Sequence, residues 1–178
     1  MRRAALLALL LGAALPDASV ARDGRAPFDP LAYFAGSTTS RGVMKNGFGA
    51  EVGTVTGQTR GRRERGGATV FDQTLRMNDG EVRRRSFRLV RTSPTTVAVT
   101  GTEVVGTAVG TLEGWTLRLP STIRSDSGNP LSELEFEQIM ELQPDGRTLT
   151  NLSTVRKFGI VVRRIEERFV RSDARRGS

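Results

Sequence analysis

The 178-residue chain contains no cysteine and no histidine. Those absences remove disulfide frames, thiolate or imidazole metal sites, and every nucleophile pair built on Ser-His or Cys-His. Lysine is scarce too: of 27 cationic side chains only Lys45 and Lys157 are not arginine. A skew of that kind is read as the coding bias of a GC-rich genome before it is read as guanidinium chemistry. With one Trp, one Tyr and eight Phe, aromatics are few. No stacking motif interleaves with the basic runs, so no nucleic-acid partner is expected. No apolar run approaches the roughly 20 residues that a helix needs to cross a bilayer. What remains is 20 Gly, abundant Thr and Val, a 37% apolar share and a net charge of +8. That is the composition of a β-rich globular protein of one domain, large enough for a real core.

Residues 1 to 21 have the layout of a secretory signal, with Arg2 and Arg3 leading, an apolar run over Ala4–Leu15, and Ser19-Val20-Ala21 as a small-x-small cleavage site. Cleavage is expected near Ala21, leaving a domain over 22–171 and a polar tail over 172–178. No cysteine stands near the site to carry a lipid. The expected location is periplasmic or secreted. Without disulfides, an exported chain of this size must hold itself by core burial and backbone pairing.

Phe28-Asp29-Pro30-Leu31-Ala32-Tyr33-Phe34 begins a short helix, with Asp29 as N-cap, Pro30 at the first helical position, and Gly36 ending it. Phe28, Leu31 and Phe34 recur at helical spacing, which makes the segment a plug against the body of the domain. Beyond Ser37, short runs of Val, Thr, Ile and Phe alternate with turn residues. They predict strands over 38–46, 50–60, 67–77, 81–92, 95–103, 105–112, 115–123, 132–142, 147–156 and 160–171. Met77-Asn78-Asp79-Gly80, Arg91-Thr92-Ser93-Pro94 and Gln143-Pro144-Asp145-Gly146 are short enough to force antiparallel hairpins. The fold class is therefore all-β: a single antiparallel up-and-down, lipocalin-like (calycin-type) barrel with a short N-terminal helix. An open two-layer sandwich is the alternative, because strand count does not decide closure.

Alternate residues of a strand share a face, so the apolar phase names the interior. In 132–142, Leu134, Phe136, Met140 and Leu142 share one face while Glu133, Glu135, Glu137 and Glu141 form a wet stripe on the other. The same rule turns several polar residues inward: Gln138 beside Phe136 and Met140, Arg85 beside Phe87 and Leu89, Glu103 with Val97 and Val99, Asn151 with Leu149 and Val155. An unpaired buried charge costs several kcal/mol, so these groups are expected to meet one another, Arg85 with Glu103 first, or a ligand's polar head. Three readings stand: an internal network that fixes register, a ligand-orienting set, or a bulge that returns them to water. Trp115 shares a face with Leu117 and Leu119 and joins Phe87 as an apolar candidate.

Phe28-Asp29-Pro30-Leu31 with Tyr33-Phe34-Ala35-Gly36, the stretch Gly101 to Gly110, and Asn151-Leu152-Ser153 with Arg156-Lys157-Phe158-Gly159 together resemble a bacterial family of unknown function. Its members are small exported lipocalin-like proteins, many of them lipoproteins. The resemblance spans residues 28 to 171, places Glu103 and Asn151 at motif positions, and implies a barrel in the cell envelope without supplying a reaction. The lipobox cysteine of the lipoprotein members is absent here.

Gly106 to Gly110 is no phosphate loop, since neither a helix start nor a Lys-Ser/Thr pair follows. Glu166 and Glu167 are strand neighbours pointing opposite ways and cannot form an acid-base pair. Arg60, Arg62, Arg63 and Arg65 cluster at a hairpin end, with Arg83 and Arg84 placed nearby, and guanidinium forks there match anionic lipid or polysaccharide. No catalytic residue, metal or cofactor is expected, and the chain is read as a non-enzyme. Two functions follow: a barrel holding a small apolar or amphipathic, lipid-like molecule against Arg85, Glu103, Gln138, Asn151, Phe87 and Trp115, or a filled-core interaction protein whose basic rim meets anionic envelope components.

Overall fold

A computed structural model describes residues 26–124 and 132–172. The signal expected over 1–21 and most of the tail over 172–178 lie outside those residues.

Ten strands follow one five-residue helix: α1 Pro30–Phe34, β1 Ser37–Asn46, β2 Glu51–Arg63, β3 Thr69–Met77, β4 Val82–Ser93, β5 Thr96–Gly101, β6 Ala108–Glu113, β7 Thr116–Arg124, β8 Glu133–Leu142, β9 Thr148–Lys157 and β10 Ile160–Arg171. Each strand pairs antiparallel with its sequence neighbours, and β1 also pairs with β10, from Thr38 opposite Arg171 to Asn46 opposite Arg163. The sheet is therefore a closed lipocalin-like barrel, and the open sandwich is excluded. Closure gives every strand a hydrogen-bonded neighbour on both sides, which removes the free edge strands of an open sheet.

Successive hairpins lie at alternate ends. At one end, α1 plugs the barrel. Five residues are too few to form a helix alone; here Asp29 Oδ1 accepts the Leu31 N–H at 3.0 Å, and Pro30 stands at the first turn. Phe34 stacks on Phe71 with ring centroids 4.8 Å apart, and the Tyr33 hydroxyl donates to the Arg147 carbonyl at 2.9 Å. Burial raises the Tyr33 phenol well above its ordinary pKa, so that hydroxyl remains a donor. Burial alone would raise Asp29 too, but the bond from Arg91 and the backbone donors of Ala32 and Leu31 outweigh it and hold the carboxyl below its usual range. At the other end the connections after β1, β3, β5 and β9 form a rim that no helix plugs among the described residues.

The core follows the two-residue phase. Phe71, Leu89, Val97, Val99, Leu117, Leu119, Met140, Leu149 and Phe169 form one buried cluster with the plug, and Met44, Val55 and Leu75 a smaller one toward the rim. Four boundaries differ from the sequence reading by two residues or more: β2 runs on to Arg63 beyond the expected 60, β3 starts at Thr69 after the expected 67, and the other two flank one connection. The 95–103 strand stops at Gly101 and the 105–112 strand starts only at Ala108, because 102–107 forms the β5–β6 connection, where Val104 makes a lone bridge to Ile123.

Candidate functional site

Between the two apolar clusters lies a cavity of about 130 Å³. Phe71, Phe87 and Leu119 line it toward the plug, and Met44, Val55, Leu75, Phe136 and Ile165 toward the rim. Around its waist runs a polar belt of Gln73, Arg85, Ser121, Gln138, Asn151, Ser153 and Glu167.

Arg85 comes from β4 opposite Gln73 of β3. Its Nε lies 2.9 Å from Glu103 Oε2, with side chains 16% and 19% exposed, so the pair named from sequence does meet. Contact is made from outside the strand phase, since Glu103 sits in the β5–β6 connection and does not line the cavity. The two atoms are close without the in-line geometry of a hydrogen bond, so both keep unspent bonding capacity. Burial pushes the Arg85 guanidinium below its ordinary pKa, and Glu103 returns only part of that loss.

Glu167 is the group that the sequence reading missed. Glu166 and Glu167 do face opposite ways: Glu166 meets Lys45 Nζ outside at 2.6 Å, and Glu167 points inward on the phase of Ile165 and Phe169. That phase was the available signal, hidden by treating the two carboxylates only as a pair. The Ser40 hydroxyl donates to Glu167 Oε1 at 2.6 Å. Room for this bond exists because Gly57 faces Ser40 across the β1–β2 ladder; a Cβ there would lie 2.2 Å from Ser40 Oγ. Desolvation raises the Glu167 pKa, against smaller lowering contributions from Ser40, Arg85 and Asn151.

Asn151, opposite Glu167 in the β9–β10 ladder, is only 5% exposed. Its Nδ2 donates to Ser153 Oγ at 3.1 Å, while Oδ1 is buried with no hydrogen-bond partner among the described residues. A buried amide oxygen left without a donor costs roughly 1–3 kcal/mol. Of the other candidates, Gln138 and Phe87 line the cavity. Trp115 does not: it follows Gly114 in the β6–β7 turn at the plugged end, where Phe28 N–H donates to the Gly114 carbonyl at 3.0 Å. Its strand phase with Leu117 ends at Thr116, so parity no longer places its ring.

Arg60, Arg62, Arg63 and Arg65 flank the β2–β3 hairpin at the plugged end, as expected of a hairpin cluster, and are exposed. Arg63 is engaged by Asp29 at 3.3 Å. Arg83 and Arg84 open β4 at the opposite end, which corrects their expected placement beside this cluster. Among the described residues, no group of three or more His, Cys, Asp or Glu gathers as a metal site.

The family profile described as "Protein of unknown function (DUF3833)" matches residues 7–171. The chain belongs to the DUF3833 family. No curated protein matches it. Among solved structures it is similar to the S-type phycobiliprotein lyase CPES from Guillardia theta, at 10% identity and a TM-score of 0.63 over 82% of this chain and 92% of that one. A second similarity is to EF1p2_mFAP2b bound to DFHBI, at 13% identity and a TM-score of 0.43, covering 80% of this chain and 97% of that one. At 10% identity the lyase likeness establishes the barrel fold of this DUF3833 protein and nothing about its chemistry.

One pH dependence follows from the belt. A carboxyl whose folded pKa lies above its unfolded value binds its proton more tightly in the folded state. Its contribution to stability therefore falls as pH rises from the ordinary carboxyl range through the raised value. Glu167→Gln is expected to flatten that part of the stability profile and to melt above the wild type at neutral pH. Thermal midpoints measured across the weakly acidic range check this, and identical slopes in the two proteins would contradict it.

Proposed function

We propose that this DUF3833 barrel is an extracytoplasmic binding protein for a small amphipathic molecule, seated in the cavity with its polar end on Asn151 and Glu167. The observation that carries the reading is the buried, partnerless Asn151 Oδ1 facing a cavity whose other walls are mostly apolar. A ligand hydroxyl or amine donating to that oxygen would recover the lost bond.

The belt also sets the ligand's charge. Glu103 offsets the Arg85 charge and Glu167 adds no further cation, so nothing in the belt offsets the desolvation of a carboxylate head, and the site favours a neutral or cationic donor. At about 130 Å³ the cavity lies below the roughly 300 Å³ of drug-sized pockets. It is close to the roughly 150 Å³ void that admits one benzene ring. The favoured occupant is therefore a single ring or a short chain.

Calorimetric titration of the protein with phenol, 1-hexanol and hexanoate tests the reading. The two hydroxyl compounds are expected to bind at least about tenfold more tightly than hexanoate, a gap of about 1.4 kcal/mol. Asn151→Leu is expected to erase that preference. No binding of either alcohol, or a preference for hexanoate, would overturn the assignment and leave the filled-core interaction protein as the better account.

A further inference from the structure

Two hairpin tips of the rim break local rules without serving the fold. The β9–β10 turn is Phe158-Gly159, with φ of 51° and 76°. A two-residue turn with positive φ at both positions strongly prefers Asn-Gly, because a side chain such as Phe is strained in the left-handed region. Phe158 accepts that strain and is 80% exposed. In the β1–β2 connection Phe48 is 100% exposed, yet its loop is ordered: Asn46 Oδ1 accepts from the N–H groups of Phe48 and Ala50, both at 3.0 Å.

The tips are neighbours. β1 pairs with β10 up to Asn46 opposite Arg163, and Arg164 Nη1 donates to the Gly47 carbonyl at 3.2 Å. Ile160, Val52 and Val162, at 69%, 46% and 40% exposure, extend the apolar area along the same sector. Lys45, Arg156, Lys157, Arg163 and Arg164 surround it, with Glu51, Glu135, Glu137 and Glu166 alongside. Lys45 is paired with Glu166 and Arg156 with Glu137, while Lys157, Arg163 and Arg164 make no ion pair among the described residues. Both lysines of the chain stand here, and Lys157 Nζ lies 5.7 Å from the Phe158 ring centre. Local strain spent on an exposed aromatic points to a role outside the fold.

We propose that this sector of the rim docks on a bilayer surface containing anionic lipid, with Phe48, Phe158 and Ile160 entering the headgroup boundary and the cations reaching the phosphates. A second copy of the chain fits less well, because a two-fold contact would set the same cations against each other. Among the described residues, no helix is long and apolar enough to cross a membrane. The proposal is independent of what occupies the lumen.

The absence of native cysteine makes the test direct. Full-length protein carrying Val162→Cys, labelled with an environment-sensitive nitrobenzoxadiazole dye, is mixed with phosphatidylcholine vesicles with and without phosphatidylglycerol. The expected result is a blue shift with the anionic vesicles that weakens with added salt. A dye on Arg65→Cys at the plugged end is expected to stay unshifted. In the Val162→Cys background, Phe48→Ser with Phe158→Asn should lower vesicle partitioning by about tenfold or more. Asn at position 158 suits its turn, so fold is retained. No shift at Val162→Cys, an equal shift at Arg65→Cys, or undiminished partitioning of the double substitution overturns the proposal. A shift without vesicles that grows with protein concentration would instead assign the surface to a second copy.

Discussion

Arg85→Leu is expected to destabilise the barrel by about 3 kcal/mol, more than Glu103→Leu, and the two substitutions together by less than Arg85→Leu alone. Truncating one partner of a buried ion pair leaves the other charge uncompensated, which costs about 3–5 kcal/mol when burial is complete. Here both side chains keep some contact with water, at 16% and 19%, so the lower end applies. The order follows from the third charge. Arg85 also lowers the pKa of Glu167, so its loss strands two carboxylates, whereas loss of Glu103 leaves the guanidinium with Glu167 still in its field. In the double substitution only Glu167 remains, and it can take up a proton. Urea denaturation of the four proteins gives the coupling energy directly. Simply additive losses would mean that the 2.9 Å contact contributes nothing.

Much of this belt was legible because strand parity is a local rule that survives any tertiary arrangement. Gln138 and Asn151 needed only apolar neighbours two residues away, and both line the cavity. Asp29 and Pro30 marked the helix start because an N-cap and a first-turn proline are also local signals. Closure was a different matter. It depends on β1 meeting β10 across the whole length of the chain, which no turn residue encodes. Parity failed where strands end: Glu103 reaches Arg85 from a connection, and Trp115 belongs to the plugged end. The position of Arg83 and Arg84 at the rim follows from strand order alone. In an up-and-down barrel consecutive hairpins alternate ends, so the β2–β3 and β3–β4 turns cannot be neighbours. Cavity volume had no sequence signal, since it is the residue of packing many side chains against one helix.

That helix rests on a single glycine, so Gly61→Ala is expected to cost about 3 kcal/mol and to unseat the plug. A Cβ at Gly61 would stand 1.9 Å from the Phe34 carbonyl oxygen and 2.9 Å from Phe71 Cβ. Neither can move freely, because the Gly61 N–H also donates to the Gly36 carbonyl at 2.8 Å and Phe34 is stacked on Phe71. Relief requires α1 to lift, which exposes Phe28, Leu31 and Phe34, each 4% exposed or less. Gly57→Ala provides the contrast. Its Cβ would meet a side-chain oxygen, Ser40 Oγ at 2.2 Å, which can rotate away at the cost of its bond to Glu167. That change is expected to cost only about 1 kcal/mol, the net worth of one hydrogen bond. It should also raise the Glu167 pKa further. Thermal melts with an added hydrophobic dye separate the two: Gly61→Ala should bind dye before the main transition, as an opened end would, and Gly57→Ala should not. Equal losses from both substitutions, with no early dye signal, would show that the plug tolerates displacement and does not seal the cavity.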